Sequence, residues 1–407
     1  MKKLVHIQYS MESAGRAALR LQRAFQDTEI SSSIVSMEHS VESQGVKYMS
    51  ARARLLTRLE DRIQNYLTRK VNKKLGSFSY PVLGNNLAKL DEVKNADVIY
   101  IHWALKGMLN FRSIEQIAAL NKPVVIFLHD MWNITGGCHH SFDCVKYKTE
   151  GCGNCPMFPE ENKNDLSAKE FRKKMKIYSR YNNLYFVSPG RWLYDCARES
   201  LLTRDKPAFY IPNLLDKNIY KPVDKNAARQ VLNIDANETV IAFGAITVGS
   251  PYKGWAYLQK ALALLMQSAP HQDISVLIFG SSYKKEIADA IPFKVKFMGY
   301  LKDEYSTALV YNAADVFIAP SLAEAFGYVV MEALSCGTPV VGFDVGGIPD
   351  MVKHKENGYL AKYKDAEDLA EGIRYCLTND VRGYLPPAIE PALTLQKHLE
   401  LIEQVSK

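Results

Sequence analysis

Apolar residues along this chain follow two rhythms. Short unbroken runs rich in Val, Ile, Phe and Tyr occur at LVHIQY (4–9), SSIVSM (32–37), DVIYIHW (97–103), PVVIFLH (123–129), LYFVS (184–188) and AFYIP (208–212). They return at TVIAFGA (239–245), SVLIFG (275–280), VKFMGYL (295–301), DVFIAPS (315–321) and PVVGFD (339–344). Runs this short, without polar alternation, predict strands buried on both faces. Between them lie segments of helical spacing, such as WAYLQKALALLMQ (255–267). Strand and helix alternate through both halves, which predicts two doubly wound α/β domains. The polar, proline-bearing stretch PNLLDKNIYKPVDKN (212–226) marks the seam. We expect a first domain at 1–217, a second at 218–385 and a closing helix within 386–407.

One segment has a different character. In ARARLLTRLEDRIQNYLTRKVNKKL (51–75), Leu55, Leu59, Ile63, Leu67 and Val71 recur every four residues among eight Lys and Arg. That predicts a basic amphipathic helix, which either packs its apolar stripe on the core or lies on an anionic membrane.

The composition is that of an ordinary globular protein: 407 residues, 47% hydrophobic, 23% charged, enough for two domains. A net charge of +7 favours anionic ligands without arguing for nucleic acid. No apolar run approaches the ~20 residues of a membrane span. The start, MKKLVHIQYS, has no apolar signal core. A cytoplasmic protein with reduced cysteines is expected.

The stretch EAFGYVVME (324–332) brackets an apolar run with two carboxylates. It follows the strand ending at Ser321, so a helix should begin near Phe326–Gly327 and stop at Gly337. Helix starts are anion sites. A diphosphate there would be flanked by Glu324 and Glu332, each able to accept hydrogen bonds from hydroxyls. The plainer alternative is two surface charges on a helix. Gly327, the turn CGTPVV and the loop VGGIPD (345–350) all follow strand ends, where open α/β sheets bind ligands.

The spacing of Glu324 and Glu332, with AFG between and EALSCGTPVVGFDVGGIPD after, resembles the signature of family 4 retaining glycosyltransferases of the GT-B fold. FGAITVGSPYKGW (243–255) resembles their phosphate-binding lysine loop, with Gly244 at its start and Lys253 as the lysine. IPNLLD (211–216) resembles their interdomain motif, with Asn213, and FLHDMW (127–132) their histidine loop, with His129. Two features depart: Ala245 follows Gly244 where an arginine is often near, and MESAGRAA (11–18) carries only Gly15 in place of a glycine pair.

The resemblance implies two Rossmann-like doubly wound domains facing across a cleft, with the last helix returning to the first domain. It implies sugar transfer from a UDP- or GDP-linked donor to an acceptor hydroxyl, with retention and no cofactor required for catalysis. Lys253, Glu324 and His129 would be catalytic. Glu332, Phe326, Gly327, Gly244, Gly15 and Asn213 would bind the donor. His102, at the end of DVIYIHW, is either a core histidine or an acceptor-side group, and Arg191 in SPGRW either contacts substrate or forms a surface ion pair. Rival readings are a nucleotide-sugar epimerase of the same fold and a non-catalytic binding module.

The loop after His129 carries Cys138, Cys144, Cys152 and Cys155, spaced C-x5-C-x7-C-x2-C, with His139 and His140 as further candidate ligands. The expectations are a structural zinc or, equally, four thiols or two disulfides. The loop resembles that of a subgroup linked to colanic acid, exopolysaccharide or O-antigen synthesis. The acceptor implied is a saccharide or lipid-linked saccharide, with peripheral contact to the inner face of the plasma membrane through 51–75, and no nucleic acid.

Overall fold

A computed structural model describes the whole chain except residues 13–14, 40–43, 245–249, 251 and 269–272. It forms two compact units: Met1–Leu214 with Ala392–Lys407, and Leu215–Pro391.

The first unit holds a seven-stranded sheet of β1 (Lys2–Gln8), β2 (Ile30–Ser36), β3 (Val46–Tyr48), β4 (Val98–Ile101), β5 (Val124–Phe127), β6 (Leu184–Ser188) and β7 (Ala208–Tyr210). Their order is β3-β2-β1-β4-β5-β6-β7, and every pairing is parallel. The second unit holds β8 (Thr239–Gly244), β9 (Ile274–Phe279), β10 (Lys294–Gly299), β11 (Val316–Ala319), β12 (Val340–Phe343) and β13 (Gly358–Ala361), ordered β10-β9-β8-β11-β12-β13 and again all parallel. Both sheets are wound outward from a central pair, β1/β4 in one and β8/β11 in the other. Chain direction along the sheet reverses at that pair, which opens a crevice at the strands' carboxyl ends.

The unbroken apolar runs have a direct cause. In β8, Val240 and Ala242 join one core, while Ile241 and Phe243 join the core on the opposite face. In β11, Phe317 and Ala319 face the first and Val316 and Ile318 the second. Side chains alternate faces at every residue, so a sheet covered on both sides needs apolar residues at every position. Two strands escaped the sequence pattern, β3 and β13. Both are short edge strands, and β3 has no buried residue. The helix Pro391–Val405 seats Leu401, Ile402 and Val405 among Leu4, Val98 and Phe127 of the first unit.

The basic segment is helical over Ala51–Leu67, stopping short of residue 75. It is attached by its polar side. Glu60 is fully buried and accepts the Val82 and Leu83 N–H groups at 2.9 and 2.8 Å, and Gln64 Oε1 accepts the Tyr80 N–H at 3.0 Å. The first half of the stripe faces outward: Leu55 is 63% and Leu59 49% exposed, among exposed Arg52, Arg58 and Arg62, while Ile63 and Leu67 are half-buried and Val71 is buried. The expectation of an apolar stripe packed on the core therefore fails at Leu55 and Leu59 and holds at Val71.

Candidate functional site

The β8/β11 switch point brings together two charged side chains of the second unit. The loop leaving β8 carries Lys253, and the loop leaving β11 carries Glu324. Because these strands are hydrogen-bonded neighbours, the two side chains meet: Lys253 Nζ lies 2.9 Å from Glu324 Oε2. Ser321 Oγ donates to the same oxygen at 3.3 Å. Burial disfavours the Lys253 ammonium, but the Glu324 carboxylate outweighs it and its pKa lies above the ordinary lysine value. Lys253 thus stays a cation at neutral pH.

Two glycines beyond those expected hold this pair in place. Gly254 has φ +64°, and a Cβ there would sit 1.8 Å from the Pro320 carbonyl. The two loops are also joined by the Leu322 N–H, which donates to the Tyr252 carbonyl at 2.8 Å. On the other side, Gly346 has φ +59° and a Cβ there would meet the Glu324 carbonyl at 1.9 Å, while the Gly347 N–H donates to that carbonyl at 3.0 Å. Glycine is needed at both for conformation and clearance.

The helix Tyr328–Ser335 follows, with Gly327 as its N-cap in the left-handed region at φ +100°. Its first-turn N–H groups are those an α-helix leaves without internal acceptors. Phe326 is a core residue, so any contact with a ligand comes from its backbone. Glu332 is 6% exposed and accepts the Tyr311 hydroxyl at 3.1 Å. Gly244 ends β8 against the Phe279 ring, which a Cβ would strike at 2.4 Å; its need for glycine is a packing one. Ala245 lies outside the described residues.

The first unit places neutral groups at the equivalent β1/β4 switch point and on β5 beside it. His6 of β1, His102 after β4 and His129 after β5 form a hydrogen-bonded file: Ser32 Oγ to His6 Nε2, His6 Nδ1 to His102 Nε2, and His102 Nδ1 to His129 Nε2, each 3.0 Å. Burial lowers the pKa of His6 to about 3 and of His129 to about 4, and that of His102 well below its usual value. Three neutral rings, each one donor and one acceptor, can be ordered only two ways. Either His129 ends the file with an Nδ1–H, or it ends with a bare Nδ1 and Ser32 accepts at the other end. His102, 3% exposed, therefore has both nitrogens committed within the file, which favours the core-histidine alternative over an acceptor-side group. Beside His129 a small recess is lined by Trp103, Asp130, Trp132 and Asn133.

The remaining expected residues have other settings. Gly15 is the N-cap of the helix Arg16–Ala24, and a Cβ there would collide with the Ser10 carbonyl at 1.6 Å, so the turn itself demands glycine. Asn213 is buried, with no partner for Oδ1 among the described residues. Arg191 starts the helix Arg191–Glu199 with its guanidinium over Tyr210 and Tyr194, 5.2 and 5.6 Å from the ring centres.

The cysteine loop is tied to this wall. His139 is not a spare ligand: its Nδ1 is 2.6 Å from Asp130 Oδ2 and its Nε2 2.8 Å from Ser79 Oγ. Burial acts against the Asp130 carboxylate, but His139 and the Trp132 N–H bring its pKa down to about 2. Cys138, Cys144, Cys152 and Cys155 are free thiols lining one small pocket. Burial pushes the Cys138 pKa up to about 12.

Comparison with known proteins agrees with this geometry. Residues 237–379 match the sequence model of the family described as "Glycosyl transferases group 1". The chain is 33% identical over 178 residues to a D-inositol 3-phosphate glycosyltransferase of Rhodococcus opacus, and 34% over 192 residues to one of Mycobacterium sp. (strain KMS). Those matches take in 41% and 44% of this chain, and the chain covers only 39% and 42% of those relatives. Among solved structures, it is similar to HepE of Anabaena with UDP and glucose (TM-score 0.62, 17% identity, 99% of this chain, 100% of that one). It is also similar to a glycosyltransferase of Rickettsia africae (TM-score 0.65, 14%, 100% and 99%) and to WaaG, involved in lipopolysaccharide biosynthesis (0.57, 16%, 100% and 98%). The fold is thus GT-B.

Proposed function

We propose that this chain transfers a sugar, with retention, from a nucleoside-diphosphate sugar to an acceptor hydroxyl. The observation that carries the reading is the Lys253–Glu324 pair beside the start of the helix Tyr328–Ser335. A departing diphosphate gains negative charge as the glycosidic bond breaks. A fixed ammonium and oriented N–H groups stabilise that charge without reorganising. In this reading the diphosphate takes over Lys253, freeing Glu324 to accept from donor-sugar hydroxyls. Glu332 accepts from the ribose, and the His129 end of the histidine file meets a hydroxyl.

For the acceptor, we propose a lipid-linked or growing polysaccharide reached at a membrane surface. The outward Leu55 and Leu59 amid arginines support it: apolar side chains for the interface, cations for anionic lipid. No helix among the described residues is long and apolar enough to span a bilayer. The curated relatives named above make a phosphorylated inositol the second acceptor class to try.

The test is an assay with UDP- and GDP-sugars against soluble, inositol phosphate and vesicle-borne lipid-linked acceptors, following nucleotide release and anomeric configuration by NMR. We expect a retained linkage and loss of the vesicle-borne reaction alone in Leu55→Ser/Leu59→Ser. Epimerised nucleotide-sugar without nucleotide release would favour an epimerase. Inertness towards every donor would favour a binding module.

A further inference from the structure

We infer that Cys138, Cys144, Cys152 and Cys155 form a structural zinc site that staples the loop between β5 and the helix Leu166–Arg180. The inference is independent of the proposed sugar transfer.

Residues 135–165 contain one short helix, Lys146–Thr149, and no strand. A loop this long inside a compact unit lacks the ladder bonds that order a chain and requires another source of order. All four thiols of the loop line a single cavity, with Phe78, Tyr147, Thr135 and Lys146 among its other walls. Among the described residues no carboxylate lines it. Four sulfurs without an oxygen anion select a borderline-soft ion such as Zn²⁺ over Mg²⁺ or Ca²⁺.

The backbone is already bent around these sulfurs. The Gly136 N–H donates to Cys152 Sγ at 3.1 Å, and a Cβ on Gly136 would sit 2.6 Å from Cys152 Cβ. Gly151, Gly153 and Asn154 all have positive φ, wrapping the closing C-x-x-C pair. Asp165 Oδ2 accepts the Cys155 N–H at 2.8 Å. Charge is partly offset as well. Four thiolates around one Zn²⁺ leave an excess of two negative charges. The Lys146 ammonium is fixed in the same wall by the Gly153 and Asn154 carbonyls at 3.2 and 2.9 Å.

Among the described residues, no three His, Cys, Asp or Glu side chains already converge on a common centre. Capture of the ion therefore requires the thiols to turn about χ1 into their shared cavity, until each sulfur lies about 2.3 Å from the metal. Each thiol loses its proton to solvent as its bond to the metal forms. The fourfold sulfur shell leaves no open position, so the ion holds structure and does not meet substrate. Its effect reaches the first unit's wall through His139, which follows Cys138 and holds Asp130, the neighbour of His129.

The full chain, purified under reducing conditions without added metal, should contain one zinc by mass spectrometry of its metals. Replacing that zinc with Co²⁺ should give the thiolate-to-cobalt charge-transfer band and the visible bands of tetrahedral cobalt. Cys152→Ser should lose both zinc and cobalt signals. Cys336→Ser, in the second unit, should keep them. Should Cys152→Ser fail to fold, mercurial titration of the intact chain serves instead: zinc should leave in step with blockage of these thiols. A folded chain without zinc and without a cobalt band overturns the proposal. So does a chain lighter by four hydrogens, which would carry two disulfides, or one whose four loop thiols react at once with a thiol reagent while it stays folded.

Discussion

The two units wind their sheets identically and load the same position with opposite chemistry. At the β8/β11 switch point a lysine and a glutamate form an ion pair held by glycine-dependent loops. Around the β1/β4 switch point and on β5, three neutral histidines form a hydrogen-bonded file between Ser32 and His129. The difference shows what topology does and does not dictate. Parallel winding fixes where side chains emerge. The residue types then decide whether that place answers charge or hydroxyls.

The largest expected effect comes from removing the charge. Lys253→Ala should lower transfer by a few hundredfold, about 3–4 kcal/mol of transition-state stabilisation. His129→Ala removes one hydrogen bond between neutral groups, and should cost nearer tenfold, about 1.4 kcal/mol. Steady-state rates on the two variants check this. Equal losses would break the division between a charged and a neutral pole.

Acidification should come next, and should strike the first unit. His6 and His398 titrate near about 3 and His129 near about 4 in the fold, against 6.5 when unfolded. A lowered folded pKa means that the unfolded chain binds the proton first. The stability is complete above pH 6.5 and drains away as pH falls towards 4 and then 3. Each such histidine removes about 1.4 kcal/mol per pH unit within that window. In Trp255→Phe the remaining tryptophans, Trp103, Trp132 and Trp192, all report on the first unit. Their fluorescence should show a lower urea midpoint at pH 5 than at pH 7. An unchanged midpoint would contradict the burial of neutral rings.

A smaller change sharpens the histidine file. Ser32→Ala takes away the group that either gives a proton to His6 or receives one. Losing that bond should cost about 1–2 kcal/mol of stability. It should also shift the tautomer of His129, two rings away, in ¹⁵N spectra. A His129 signal indifferent to Ser32 would mean that the file does not act as a unit.

How much of this was legible in the sequence follows the same contrast. The second unit's strands other than the edge strand β13 were plain because they form long apolar runs, doubly buried at the centre of the sheet, and the pair of loops was plain because Glu324, Lys253 and the glycines stand in contiguous motifs. The first unit's file was hidden because its members lie on β1, β2 and the ends of β4 and β5, far apart in the chain. His102 and His129 were each singled out separately, and His6, a lone histidine inside the apolar run LVHIQY, is the signal that was passed over. The helix Ala51–Leu67 misled for another reason: its leucine periodicity was read correctly, but buried Glu60 with two backbone N–H donors set which face points inward.

The central claim, a nucleotide-sugar site on the second unit, is tested most directly by a thermal-shift panel of UDP, GDP and their sugars without divalent metal. A ligand at a hundred times its dissociation constant adds about 2.7 kcal/mol of stability. The account predicts that one nucleotide class raises the unfolding temperature and that Glu332→Ala abolishes the rise. No shift with any nucleotide, on folded protein, would contradict it.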